Sequence, residues 1–206
     1  MSILFVDSTY DITLGLLDDD FSWLHFQHFS GKKASTILQK EAFALLKNHN
    51  LKASDLKAVV SVAGPGFYTG LRLSEGLADV FKFFGIAHYA FYSYDLPQWC
   101  GIEEGSWLTK AYRGEYFFHH WNKDHSENIL VSTIELEAKL SEIKKLFVHT
   151  ESAMDKHSLD LIKDFSVTYD LLKKHPREIF QHIISSDLKQ ESYYFRAPED
   201  EFRVSV

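Results

Sequence analysis

Val59-Val60-Ser61-Val62-Ala63-Gly64-Pro65-Gly66-Phe67-Tyr68-Thr69-Gly70-Leu71-Arg72 carries three local signals in succession. A β-branched apolar run stops at Gly64, three glycines and a proline follow, and an amphipathic pattern then begins. That order reads as strand, tight loop and helix. Glycines at such a junction permit positive φ and close backbone approach. The helix N-terminus beyond them offers free N–H groups and a partial positive charge, which suit an anion. Two readings stand side by side: a phosphate loop, or a tight turn that lets the helix pack close against its sheet. The stretch is not a Walker A loop, since no Gly-Lys-Ser/Thr follows. The Gly-x-Gly-x-x-x-Gly spacing is also wrong for a dinucleotide fingerprint, and Pro65 removes one N–H donor.

On the N-terminal side, Ile3 to Val6 reads as a strand with Asp7 at its end, and Ser8-Thr9-Tyr10-Asp11 is turn chemistry. Ile12 to Leu17 is a second strand, Asp18-Asp19-Asp20 a polar turn, and Phe21 to Phe29 a third strand with partial alternation. A helix is expected from about Lys33 to Asn48, with Ala34, Ile37, Leu38, Ala42, Leu45 and Leu46 as its apolar stripe. The helix after the glycine loop runs from about Tyr68 to Phe84, stopped by Gly85, and Ile86 to Phe91 follows as a strand. This order predicts a mixed sheet with helices packed on it, the α/β class, in the arrangement of a ribonuclease H-like half-domain.

A composition shift near Trp99 to Gly105 divides the chain into residues 1–100 and a smaller lobe at 101–206. In the second part, Trp107 to Trp121 reads as two strands around Arg113-Gly114, and Leu146-Phe147-Val148 is a short apolar run. Helices are expected at about Thr133 to Lys145, Met154 to Asp164 and Pro176 to Ser185, with Pro176 as a first helical residue. No sequence repeat is visible.

Composition narrows the functional classes. With 45% apolar residues in 206, the chain has material for a real core. A net charge of −7 argues against general electrostatic binding of nucleic acid. The lysines at Lys139-Lys144-Lys145 and Lys173-Lys174-His175-Arg177 read as solvated helix faces. The single cysteine, Cys100, excludes an internal disulfide and fits a reducing compartment. The opening residues lack a cationic leader, and no stretch approaches a membrane span, so a cytoplasmic location is expected.

Catalytic signatures are sparse. The 11 histidines show no metal-ligand spacing; His25 and His28 fall on opposite faces of a strand, and His119 and His120 also diverge. No Gly-x-Ser-x-Gly, Ser-His-Asp or Cys-His signature is contiguous, although such sets can assemble from distant positions. Asp7 at a strand end, followed by a Ser-Thr turn and a second strand, resembles the first phosphate hairpin of actin-like ATPases and sugar kinases. Those folds need a matching glycine-rich loop in their second half, and this chain has no glycine after Gly114. At most half of an ATP site is expected, with Asp7, Ser8, Gly64, Gly66, Thr69 and Gly70 as candidate phosphate-loop residues.

Ile3-Leu4-Phe5-Val6-Asp7-Ser8-Thr9 and Gly64-Pro65-Gly66-Phe67-Tyr68-Thr69-Gly70-Leu71-Arg72 resemble the two strongest N-terminal motifs of the TsaB (YeaZ) family, whose second motif typically reads Gly-Pro-Gly-Ser-Phe-Thr-Gly-Val/Leu-Arg. Ala111-Tyr112-Arg113-Gly114-Glu115-Tyr116-Phe117 is similar to that family's Asp-Ala-Arg-x-x-Glu-x-Tyr hairpin, and Tyr193-Tyr194-Phe195-Arg196 to its C-terminal Pro-x-Tyr-Leu-Arg. The first hundred residues match well and the rest in layout only. The resemblance implies a two-lobed actin-like ATPase (ribonuclease H-like) fold with a reduced second lobe. It also implies a non-catalytic role in making threonylcarbamoyladenosine next to the tRNA anticodon. The implied partners are a TsaD-like transferase, which holds the metal, and a TsaE-like ATPase. Contact with tRNA is only indirect, and a homodimer in isolation is compatible. The family also carries the label M22 glycoprotease-like, yet no protease or metal signature is evident here and no cofactor is expected.

The implied partner surface lies on the two N-terminal helices, at Ile37, Leu38, Glu41 and Leu45 on the first and Gly70, Ser74, Glu75, Ala78 and Asp79 on the second. Gly70, Ser74 and Ala78 place small residues four apart, a face suited to close helix approach. Glu75 and Asp79 add an acidic strip that would repel itself across a two-fold axis and would better suit a basic partner, unless both are simply solvated. The chain departs from the family at Lys33-Ala34-Ser35-Thr36, where His-Ser-Glu is usual, and at Lys110 and Tyr112 in the second hairpin. The alternative function is an actin-like-superfamily small-molecule kinase or ATPase using Asp7 and the Gly64–Gly70 loop. A diverged dimeric binding module is a third reading.

Overall fold

The computed structural model describes residues 2–31, 34–112, 114–140, 143–154, 162 and 164–195. The chain divides into two compact units, Met1–Tyr92 with Ile183–Val206, and Ser93–His182. A single division near residue 100 therefore gives way to an earlier one. The chain also re-enters the first unit, because residues 188–193 hydrogen-bond to Ala90, Ala63 and Gly66.

The first unit holds β1 (Ser2–Asp7), β2 (Ile12–Leu17), β3 (Trp23–Phe29), α1 (Ala34–Asn48), β4 (Leu56–Gly64), α2 (Tyr68–Phe83) and β5 (Ala87–Tyr92). Its sheet runs β3-β2-β1-β4-β5. β1, β2 and β3 form an antiparallel meander, and β4 and β5 add in parallel to β1. The period of two sends alternate residues of β1 to opposite faces. Leu4 and Val6 join Leu14, Leu38, Leu45, Val59, Leu77 and Phe81 in the core beneath α1 and α2. Phe5 instead meets the rings of Trp23, Phe26 and Phe91 at 5.9, 6.3 and 6.5 Å.

The second unit begins with the one-turn helix α3 (Leu96–Trp99). It continues with β6 (Gly105–Lys110), β7 (Glu115–Trp121), β8 (Ser126–Ser132), α4 (Thr133–Leu140), β9 (Leu146–Val148), β10 (Ser166–Val167) and α5 (Thr168–Lys174). Helix α6 (Pro176–Ser185) crosses the boundary between the units. The second sheet runs β10-β9-β6-β7-β8. Its meander β6-β7-β8 is antiparallel, and β9 and β10 add in parallel to β6. Read from the other edge, this is the strand order of the first sheet, carried by shorter parallel strands. Leu108, Tyr116, Phe118, Val131 and Val148 pack with Leu136 of α4.

Three sequence expectations change. β8 was not expected; its exposed Leu130 breaks the alternation that would have marked a strand. α5 is also new, since the apolar residues of Thr168–Lys174 are too few to show a helical period in so short a segment. α4 ends at Leu140 rather than near Lys145, and residues 143–145 are not helical. The helix expected over 154–164 falls largely outside the described residues.

Candidate functional site

The glycine loop, the turn after β1 and the returning C-terminal segment meet at the carboxyl ends of β1 and β4. Asp7 is fully buried, and its Oδ1 accepts the Thr9 N–H at 2.8 Å and the Thr9 hydroxyl at 2.7 Å. This fixes the Ser8–Thr9 turn. The Thr9 carbonyl accepts the Phe67 N–H at 3.1 Å. Ser8 donates its hydroxyl to the Gly70 carbonyl at 2.7 Å, leaving Ser74 to donate to Ser8 Oγ at 2.5 Å.

Each glycine answers a close approach. A Cβ on Gly66 would lie 2.7 Å from Thr9 Cβ, and one on Gly70 would collide with the Ser8 carbonyl oxygen. Gly64 has φ +120°, and a Cβ there would sit 2.6 Å from the Tyr193 carbonyl oxygen. The Gly64–Pro65 peptide is cis. The structure thus brings Asp7, Ser8, Gly64, Gly66 and Gly70 together, with Thr69 exposed beside them, but around the chain's own atoms. The Gly66 N–H goes to the Tyr193 carbonyl at 3.2 Å and the Phe67 N–H to Thr9, while Pro65 has none to offer. A phosphate would find these donors taken. The tight-turn reading of the loop describes this geometry.

The C-terminal segment forms a strap across the first unit. It pairs with β5 through Ala90 N–H to Leu188 at 2.9 Å and Gln190 N–H to Ala90 at 3.1 Å. Farther on, the Tyr193 N–H donates to the Ala63 carbonyl at 2.7 Å. Ser192 donates its hydroxyl to Glu75, and the Arg72 guanidinium lies 5.4 Å from the Tyr68 ring and 5.6 Å from the Tyr194 ring. Phe195 meets the rings of Tyr10 and Phe67 at 6.3 and 5.8 Å. The sequence showed Tyr193-Tyr194-Phe195 only as a family echo; an aromatic run after the last helix was the available signal for a docked terminus.

The proposed partner face separates into an inside and an outside. Leu38, Leu45, Gly70, Ser74 and Ala78 are buried within the unit and present no surface. The small stripe at Gly70 and Ser74 serves approach to the Ser8 turn, not to a second helix. Ile37 and Glu41 are half-buried. The acidic strip is neutralised locally: Arg72 pairs with Glu75 at 2.9 Å and Lys82 with Asp79 at 3.1 Å. Besides charged side chains, α1, α2 and the residue that follows α2 expose apolar ones. Phe83 is 86% exposed, and Phe43, Val80 and Phe84 are also exposed. Gly76 faces open space on the same helix.

Among the described residues no group of three or more His, Cys, Asp or Glu side chains could hold a metal ion, and no helix is long and apolar enough to cross a membrane. His28 faces Thr13 and Asp11, whereas the His25 ring lies 5.7 Å from that of His49. His119 is buried, with Nδ1 2.6 Å from Asn128 Oδ1, and His120 turns to Ser106 at 3.0 Å. Burial, with Glu178 adding to it, pushes the Cys100 thiol up to about 11, so it is not a ready nucleophile.

Two α/β units, each with a three-stranded meander extended by two parallel strands in the same order, define the two-lobed actin-like, ribonuclease H-like fold. The structure is similar to YeaZ from Pseudomonas aeruginosa, with a TM-score of 0.50 and 17% identity over 65% of each chain. It is also similar to an uncharacterized protein described as resembling the peptidase YeaZ from Pseudomonas aeruginosa, with a TM-score of 0.60 and 15% identity over 93% of this chain and 99% of that one. At these identities the likeness is one of fold. The match spans less than two thirds of the first of these chains. No family model matches the sequence, and the comparison with curated proteins finds no match.

Proposed function

We propose that this chain is a diverged TsaB-like scaffold subunit that binds and supports a TsaD-like transferase in tRNA threonylcarbamoyladenosine synthesis. The observation that carries this reading is the exposure of Phe43 on α1, of Val80 and Phe83 on α2, and of Phe84 just after it. Exposed large apolar side chains of this kind suit a protein partner. The N-terminal sequence motifs supply the identity of that partner. The glycine loop favours a non-catalytic role over the kinase or ATPase alternative, because its Gly66 and Phe67 N–H groups already serve Tyr193 and Thr9. Within this reading a TsaE-like ATPase joins the complex in the cytoplasm, tRNA is met only through the partner, and the exposed apolar residues also suit a homodimer when the partner is absent.

Reconstitution tests the proposal. The chain is mixed with TsaD-like and TsaE-like proteins of the same cell, the threonylcarbamoyl donor and tRNA, and the modified adenosine is measured by mass spectrometry. Product that depends on this chain is the expected result; equal product without it would remove the role.

A further inference from the structure

We propose that Ser61 and His88 form a nucleophile–base pair at the floor of a groove in the first unit, where Ser61 accepts an acyl group from a small activated carboxylic ester. Ser61 lies on β4 and His88 on the adjacent β5, and Ser61 Oγ is 2.8 Å from His88 Nε2. Both line a groove of about 770 Å³ bounded by α2, β5 and the C-terminal strap. Three ion pairs stand at the rim, Arg72 with Glu75, Lys82 with Asp79 and Lys189 with Asp187, and Glu191 also lines the groove. Between these pairs the groove offers the Ser61 hydroxyl and the His88 imidazole to an uncharged ligand. This inference is independent of the scaffold reading, since neither residue is among the exposed apolar side chains at Phe43, Val80, Phe83 and Phe84.

The distance falls within the reach that couples a hydroxyl nucleophile to its base. Burial and, after it, the Lys82 charge push the His88 imidazole down to about 4, so at neutral pH the ring is uncharged. Acting as the base requires the tautomer in which Nε2 accepts from Ser61 and the ring proton resides on Nδ1. Asp79 and Glu75 act in the opposite sense on His88 and favour the imidazolium that forms when Ser61 releases its proton. In the acylation step Ser61 Oγ forms a bond to the ester carbonyl carbon and the bond to the leaving alcohol oxygen breaks. The Ser61 proton passes to His88 Nε2 and from there to the leaving alkoxide. Water then cleaves the acyl-serine with the same base, giving the carboxylic acid and free Ser61.

The test is covalent labelling of the whole folded chain with a fluorophosphonate, read by intact mass and peptide mapping, alongside hydrolysis of p-nitrophenyl acetate. The expected result is one adduct, on Ser61, that is absent in S61A and forms at least tenfold more slowly in H88N, with ester hydrolysis falling in parallel. His88→Gln serves if circular dichroism shows that H88N has lost its fold. No adduct, an adduct elsewhere, or equal labelling rates in wild type and the His88 variant would reduce the pair to a structural hydrogen bond and overturn the proposal.

Discussion

The Ser8 carbonyl oxygen occupies the space that a Cβ on Gly70 would need, while the Ser8 hydroxyl donates to the Gly70 carbonyl at 2.7 Å. The first turn of α2 is thereby pressed against the turn that ends β1. Gly70→Ala is expected to destabilise the chain by about 3 kcal/mol, because main-chain atoms must move to admit the methyl group. Gly76→Ala, on the same helix but in open space, is expected to stabilise it by about 1 kcal/mol. Urea unfolding of the two variants checks both signs; equal effects would refute the close approach.

Phe83 gives the partner proposal its sharpest handle. Phe83→Ser removes an exposed ring and should leave the unfolding midpoint close to wild type. Affinity for a TsaD-like protein, measured by calorimetry, is expected to fall at least tenfold, roughly 1.4 kcal/mol. Reversing Glu75 and Asp79 to Lys is expected to do less to binding, since each is already paired within α2. The opposite ranking would move the interface to the acidic strip.

The strap's latch on α2 is testable as a coupling. Arg72 lies over both Tyr68 and Tyr194, all near the surface. A double-mutant cycle of Arg72→Ala and Tyr194→Ala is expected to give a coupling of about 0.5–1 kcal/mol in chemical denaturation. Additive losses would show that the guanidinium and the ring do not support one another.

Asp95, at the entry to α3, links stability to pH. Burial pushes its carboxyl up to about 7 from an ordinary 3.8. Between those values the folded chain holds a proton that the unfolded chain has released, so this group's contribution to stability falls as pH rises through that window. Asp95→Asn should therefore raise the melting temperature relative to wild type more at pH 8 than at pH 4. A pH-independent difference between the two proteins would contradict the raised value.

The first unit was largely legible because its strands are long and its helices carry full apolar stripes. Leu38, Ala42, Leu45 and Leu46 fall where periodicity places them, in the core. That same burial shows why Leu38, Leu45 and Ala78, named as candidate partner residues, lie inside the unit: a stripe read from spacing identifies the face a helix hides before the face it offers. The small residues at Gly70 and Ser74 were visible, but their reason, a turn more than sixty residues earlier in the chain, was not. Ser61 and His88 meet only through the lateral pairing of β4 and β5, which no local pattern encodes. In the second unit the three-residue β9 and two-residue β10 are too short to show a period at all.

The return of the strap to the first unit sets an order of events during synthesis. The main-chain partners of Ala90, Ala63 and Gly66 reside on Leu188, Gln190 and Tyr193, which follow the whole of the second unit in the chain. A nascent chain halted before Leu188 would carry a contiguous second unit already supplied with all its strands. Its first unit, although made earlier, would still present unsatisfied amides and an uncovered glycine loop. The unit that the chain begins first is therefore completed only after the unit that it begins second.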